Sequence, residues 1–237
     1  MTTIPPSPRY SFLFDFDSTL VGAESLDMLI GISLREHYEP EKVESILQEI
    51  AAITDAGMEG HIDLQTSITE RLKKARIHRK HFAIAEPLLL ESVTHGIAES
   101  IDLMHQNGCP VSIISGALME CVLPVAQVLH IPPSSIHANE GIYDANGYLS
   151  GIAAGPLAQS DGKVHCIASL KKEGQLPGTV VMIGDGISDL LPYRSGVVDT
   201  FIGAGFHRER AAVRSEAPHY CSSVLELHSL ISSLLSS

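Results

Sequence analysis

Basic residues are scarce in this chain. Its 237 residues hold 16 Lys and Arg against 28 Asp and Glu, a formal charge of −12. Nucleic-acid surfaces are built from clustered Lys and Arg, so a nucleic-acid partner is not expected. Long apolar runs are missing too. No stretch of about 18 apolar residues occurs, which removes the membrane-spanning class. The four cysteines, Cys109, Cys121, Cys166 and Cys221, make no Cys-x-x-Cys pair. They read as small core hydrophobes in a reducing compartment. The opening MTTIPPSPRYSF has no basic region leading into an apolar stretch, so no secretory signal is read there. No internal repeat or low-complexity linker interrupts the chain. The expectation is a cytoplasmic protein, monomer or homodimer, with no membrane partner.

What is present is an ordinary globular balance, 44% hydrophobic and 19% charged. The length suits one large core, or a core with a smaller insertion. Short apolar, partly β-branched runs at Tyr10–Phe14, Val111–Ile114, Thr179–Ile183 and Thr200–Ile202 have the character of buried parallel strands. Helical stretches separate them. Thr94–Asn107 carries Ile97, Ile101 and Met104 on one face, with Gly108 past its end. Lys163–Lys172 is a second helix, closed by Gly174. This alternation predicts an α/β fold, a doubly wound, Rossmann-like parallel sheet.

Between the first strand and the rest the alternation stops. Glu41–Ile53 and Asp63–Ile77 have helical apolar spacing and no convincing strand. The expected organisation is therefore a core of residues 1–22 and 92–237, with an all-helical cap inserted at 23–91. Residues 136–152 carry Asp144-Ala145-Asn146-Gly147 between strand-like flanks, a small β-hairpin signal.

Ligands of open α/β sheets sit beyond the carboxyl ends of the strands. The first strand ends in Asp15-Phe16-Asp17, the second in Ser115-Gly116, the third in Gly184-Asp185-Gly186 with Asp189 behind, and the fourth in Gly203-Ala204-Gly205. Burying two carboxylates at a strand end is costly unless they are paired or bind a metal. A hard cation such as Mg²⁺ takes oxygen ligands, normally one or two carboxylates plus phosphate and water. Asp15 and Asp185 suit that role, with the Asp17 main-chain carbonyl as a further ligand. Strand alternation sends Asp15 and Asp17 the same way and Phe16 the other. One carboxylate can then attack phosphorus while the other handles the leaving-group proton. Ser115, the Gly116 amide and Lys163 would hold phosphoryl oxygens.

These motifs, in this order, resemble the haloacid dehalogenase superfamily of aspartate-nucleophile phosphatases: Asp15-x-Asp17-x-Thr19, Ser115, Lys163 and Gly184-Asp185-Gly186-x-x-Asp189. The likeness runs from about Tyr10 to Leu230. Within the superfamily the chain is similar to phosphoserine phosphatases. The resemblance implies Mg²⁺-dependent hydrolysis of O-phosphoserine to serine, the last step of serine biosynthesis. Asp15 would be the nucleophile, and Asp17 the acid and then the base. Asp15, Asp17 and Asp185 would hold the metal. Glu24 would read the substrate ammonium and Arg71, in Thr69-Glu70-Arg71-Leu72, its carboxylate. Met58 would line the pocket, and His137-Ala138-Asn139 would lead into the hairpin. Asp189 would anchor Lys163 or a metal water, and Arg210 would serve the metal-site loop.

The chain departs from the family at Ala117 and Leu118, where Gly-Phe is usual, and at Ser25 and Phe206, where glycine is common. Those departures leave open the same chemistry on another small phosphomonoester. A receiver module that keeps its aspartyl phosphate is a further alternative, although such modules need neither a second acid at position 17 nor a helical insertion. By spacing alone, Arg71 belongs to a basic run with the character of a solvated helix face. Glu24 alone reads as a helix-start acid.

Overall fold

In a computed structural model, residues 8–236 are described. The first strand, β1 (Tyr10–Phe14), is followed by four helices: α1 (Ser25–Arg35), α2 (Pro40–Met58), α3 (Leu64–Leu72) and α4 (Lys80–Glu91). Next come α5 (Ile97–Gln106), β2 (Val111–Leu118), α6 (Met119–Val128), β3 (Ile136–Asn139), β4 (Gly141–Tyr143) and β5 (Leu149–Ile152). The chain continues with α7 (Gly162–Lys172), β6 (Thr179–Gly184), α8 (Ile187–Arg194) and β7 (Thr200–Ala204). It closes with α9 (Ala211–Glu216), β8 (His219–Cys221) and α10 (Val224–Ser236).

Six strands form one sheet in the order β3-β2-β1-β6-β7-β8, and every pairing in it is parallel. β1 is central, with Phe14 opposite Ile113 on one side and Ile183 on the other. The period-two alternation of a strand divides the core. Phe12, Phe14, Ile113 and Ile183 pack on one face with Ile97 and Ile101 of α5 and Leu227 of α10. Leu13, Ile114 and Met182 pack on the other with Ile167 of α7 and Leu190 of α8. Helices on both faces explain why these strands read as unbroken apolar runs.

The four helices α1–α4 lie between β1 and α5 in the chain, and their two connections to it run side by side. Gly22 N–H donates to the Ser92 carbonyl at 2.8 Å and Thr94 N–H to the Leu20 carbonyl at 2.9 Å. A chain that leaves and returns through adjacent segments can carry an insertion without disturbing the sheet.

The structure differs from the sequence expectation in three places. The helix expected over Asp63–Ile77 ends at Leu72. The following residues pair instead with the hairpin: Leu149 N–H donates to Ile77 O at 2.7 Å and Arg79 N–H to Gly147 O at 3.0 Å. The Arg76 and Arg79 guanidiniums lie over the Tyr148 and Tyr143 rings. Of the residues 136–152 read as a hairpin, only 141–152 form it, as β4 with β5, while His137-Ala138-Asn139 lead into it from β3, an edge strand of the main sheet. Gly147, at φ +84°, supplies the left-handed turn residue. The sixth strand, β8, carried no apolar run to announce it.

Candidate active site

The carboxyl ends of β1 and β2 and the start of α7 meet α1, α2 and α3 over one pocket, whose walls include Asp15, Asp17, Ser115, Lys163, Met58 and Arg71. Local structure explains each placement. β1 continues its ladder one residue past the strand, with Asp15 N–H donating to the Ile183 carbonyl at 2.9 Å. That bond fixes the Asp15 side chain at the mouth of the sheet. Phe16, fully buried, turns into the core and leaves Asp17 facing the pocket. Ser18 then takes φ 54°, a left-handed conformation that costs a non-glycine residue roughly 1 kcal/mol and gathers at functional loops. There its hydroxyl donates to Glu24 Oε1 at 2.9 Å.

Lys163 is the second residue of α7. Its neighbour Gly162 is forced to be glycine, because a Cβ there would lie 1.8 Å from the Pro156 carbonyl oxygen. From this position Lys163 Nζ reaches Asp15 Oδ1 at 2.6 Å and Asp189 Oδ1 at 2.5 Å. Burial works against its charge, but Asp15 and then Asp189 outweigh it, and the ammonium is held above its usual range. The other Asp189 oxygen accepts the Gly186 N–H at 2.9 Å. Gly184 must be small beside it, since a Cβ would come within 2.3 Å of the Asp189 carboxyl carbon. Asp189 is raised to about 6, first by burial and then by Asp15.

Asp185 accepts Arg210 Nε at 2.9 Å on Oδ2, while its Oδ1 is buried without a partner. Burial raises it well above the ordinary carboxylate value, with Arg210 opposing. One oxygen each from Asp15, Asp185 and Asp189 lies within 4.8 Å of the others. Three carboxylates here face two cations, Lys163 and Arg210, and one oxygen has no donor. This all-oxygen, net-negative, partly unsatisfied set fits a hard divalent cation. The Asp17 carboxylate is not in the cluster. Its two oxygens accept the Ser25 N–H and the Ser25 hydroxyl, each at 3.0 Å.

Asp17 is raised to about 7, by burial first and Asp15 second, with the Ser25 hydrogen bonds opposing. Glu24, half-buried at the start of α1, is raised to about 8 by burial and then by Asp17. On the phosphate side, Ser115 Oγ accepts the Ala117 N–H at 3.2 Å, so its proton is free to point outward. Asn139 donates to the Gly116 and Leu157 carbonyls at 2.8 and 3.1 Å and ties the end of β2 to the turn before α7.

The structure thus brings Asp15, Asp17, Glu24, Met58, Arg71, Ser115, Gly116 and Lys163 to one pocket, with Asp185, Asp189 and Arg210 beneath them. Arg71 is buried, not a solvated helix residue. Ser25, marked in the sequence only as a departure from glycine, orients Asp17, and Asp27 and Thr54, not singled out there, orient Arg71. The one signal for Asp27 is its spacing from Glu24, three residues on and so on the same helix face. At the departures, Ala117 and Leu118 are buried and Phe206 packs against the core.

Comparison with known proteins gives a consistent result. The family profile of haloacid dehalogenase-like hydrolases matches residues 12–191. The human phosphoserine phosphatase is 29% identical over 218 residues, covering 90% of this chain and 89% of its own. The phosphoserine phosphatase of Lactococcus lactis is 30% identical over 180 residues, covering 75% of this chain and 76% of its own. A crystal structure of a phosphoserine phosphohydrolase-like protein from Francisella tularensis superposes with a TM-score of 0.83 at 31% identity, covering 94% of this chain and 99% of that one.

Proposed function

Because the chain belongs to the haloacid dehalogenase-like hydrolases, we propose that it hydrolyses O-phosphoserine to serine and phosphate through a phosphoenzyme on Asp15. The observation that carries this reading is the union, in one pocket, of a lysine-held aspartate and a buried arginine. The first is a nucleophile and the second a carboxylate receptor. Relatives named phosphoserine phosphatase, aligned along nine-tenths of the chain, support the substrate.

Asp15 attacks phosphorus in line while Lys163, the Ser115 hydroxyl and the Gly116 amide hold the equatorial oxygens. Asp17, whose carboxyl keeps its proton to about pH 7, gives that proton to the departing serine oxygen. It then takes one from the water that attacks the aspartyl phosphate. Splitting the hydrolysis into two displacements is the gain from covalent catalysis. Asp15, Asp185 and the Asp17 main-chain carbonyl would hold Mg²⁺, which when bound supplies positive charge to the phosphoryl oxygens. Asp189 keeps Lys163 in place, and Arg210 does the same for Asp185. Glu24 meets the substrate ammonium, Arg71 the carboxylate, and Met58 closes the apolar side. Residues 23–91 act as the cap that excludes water and selects substrate.

The test is phosphate release with Mg²⁺ across phosphorylated amino acids, sugars and nucleotides. O-Phosphoserine should lead. Another leading phosphomonoester would correct the substrate, and no turnover of any would overturn the chemistry.

A further inference from the structure

Arg71 does not stand alone. It emerges from α3, and two of its three nitrogens are already engaged. Nε donates to the Ser67 carbonyl at 3.3 Å. Nη1 donates to Asp27 Oδ1 of α1 at 3.0 Å and to Thr54 Oγ1 of α2 at 3.2 Å. Thr54 closes the ring by donating its own proton to Asp27 Oδ2 at 2.7 Å. Arg71 and Thr54 are both buried, and Asp27 is nearly so. The Nη2 nitrogen has no protein partner among the described residues, and both Arg71 and Thr54 line the pocket that holds Asp15.

We infer that Asp27 and Thr54 are positioning residues. Together they lock one edge of the Arg71 guanidinium and present its free edge to the carboxylate of a phosphorylated amino acid. The inference rests on the substrate proposed above. An arginine side chain has several rotatable bonds, and an unrestrained one would lose much of its conformational freedom on binding an anion. Here three helices have already imposed that order, and the planar fork is turned so that only its outer nitrogen is available. Thr54 is well suited to this, since its hydroxyl accepts from the arginine and donates to the aspartate in the same step. Asp27 keeps Arg71 charge-balanced when no ligand is present, so the buried cation is not stranded. Neither residue makes a hydrogen bond to Asp15, Asp17 or Lys163.

The experiment compares O-phosphoserine with O-phosphoethanolamine, which keeps the phosphate and ammonium but has no carboxylate. The proteins are wild type, Thr54→Val, Thr54→Ser and Asp27→Asn, each checked for an unchanged melting transition. Thr54→Val should lower kcat/KM for O-phosphoserine by about tenfold, mostly through KM, the loss typical of a hydrogen bond to a charged group. Asp27→Asn should do the same. Thr54→Val should leave O-phosphoethanolamine turnover within about twofold, and Thr54→Ser should restore O-phosphoserine. Equal losses on the two substrates, or no loss on either, would overturn the positioning role. A wild type that does not prefer O-phosphoserine would overturn the proposed substrate and this inference together. Variants that keep the wild-type ratio of the two substrates would overturn the inference alone.

Discussion

Asp15 and Asp17 are one residue apart and are held in opposite ways. Asp15 is gripped by a buried ammonium at 2.6 Å. Asp17 touches no cation and carries a carboxyl raised to about 7 by burial and by Asp15. Burial without a cation favours the protonated form of Asp17, while Asp15 has a buried ammonium beside it, a difference that suits the acid and nucleophile roles proposed for them. Asp15→Asn keeps the shape and removes the proposed nucleophile, so turnover should fall by about a thousandfold or more, with no phosphoenzyme in rapid-quench assays. Lys163→Met tests the charge balance instead. It would leave Asp15, Asp185 and Asp189 facing Arg210 alone. Breaking a buried ion pair costs about 3–5 kcal/mol, and urea unfolding in chelator should show a loss of that order, reduced when Mg²⁺ is added.

At the scale of elements, the strands were legible because burial on both faces writes them as apolar runs, and the catalytic motifs because each follows such a run. Asp15, Ser115 and Asp185 were found in that way. β8, three residues with His219 and Tyr220 in it, has too little pattern to read. The end of α3 was misread for another reason. The apolar spacing of Leu64, Ile68 and Leu72 stops at Leu72, and buried Ile77, five residues on, is off that face, in a segment whose backbone the hairpin captures. The partners of Arg71 were hidden because they come from three helices whose packing no sequence period states. Connections between elements also make claims of their own. Gly162 lets α7 approach the Pro156 carbonyl, so Gly162→Ala should push that loop from Lys163. The expected cost is about 2 kcal/mol or more by thermal unfolding, with a disproportionate fall in kcat. Across the pocket, Arg208 meets Asp55 of α2 at 2.5 Å, and Leu64 N–H meets the Ser160 hydroxyl at 2.9 Å. Asp55 also lies 3.7 Å from Nη1 of buried Arg210, so the variant to use is Arg208→Gln, which removes only the exposed pair and should change stability by less than about 1 kcal/mol. It should nonetheless raise KM if that contact helps hold the insertion down, a split that steady-state kinetics would show.

Over the whole molecule, buried acids set the response to pH. Asp17 and Glu24 move from ordinary values of 3.8 and 4.5 to about 7 and about 8, and Asp185 moves in the same direction. Between those limits the folded protein holds protons that the unfolded chain has released. The stability they provide is full below about pH 4 and is lost as pH rises through about 8. In chelator the urea midpoint should therefore be higher at about pH 5.5 than at about pH 8. Mg²⁺ should narrow the gap, because a cation favours the ionised carboxylates. A midpoint that does not move with pH would show that these acids do not hold protons in the folded state. The position of β1 has a further consequence, for biogenesis. The central strand is made first, yet one of its two neighbours, β6, begins at Thr179. On the ribosome the segment bearing Asp15 must wait, with one edge open, while most of the chain is synthesised. Parallel pairing over such a separation is slow and exposes apolar surface to aggregation. Newly made chains should depend on chaperones more than the finished enzyme's stability would suggest, and truncation before residue 179 should give insoluble product rather than a smaller working core.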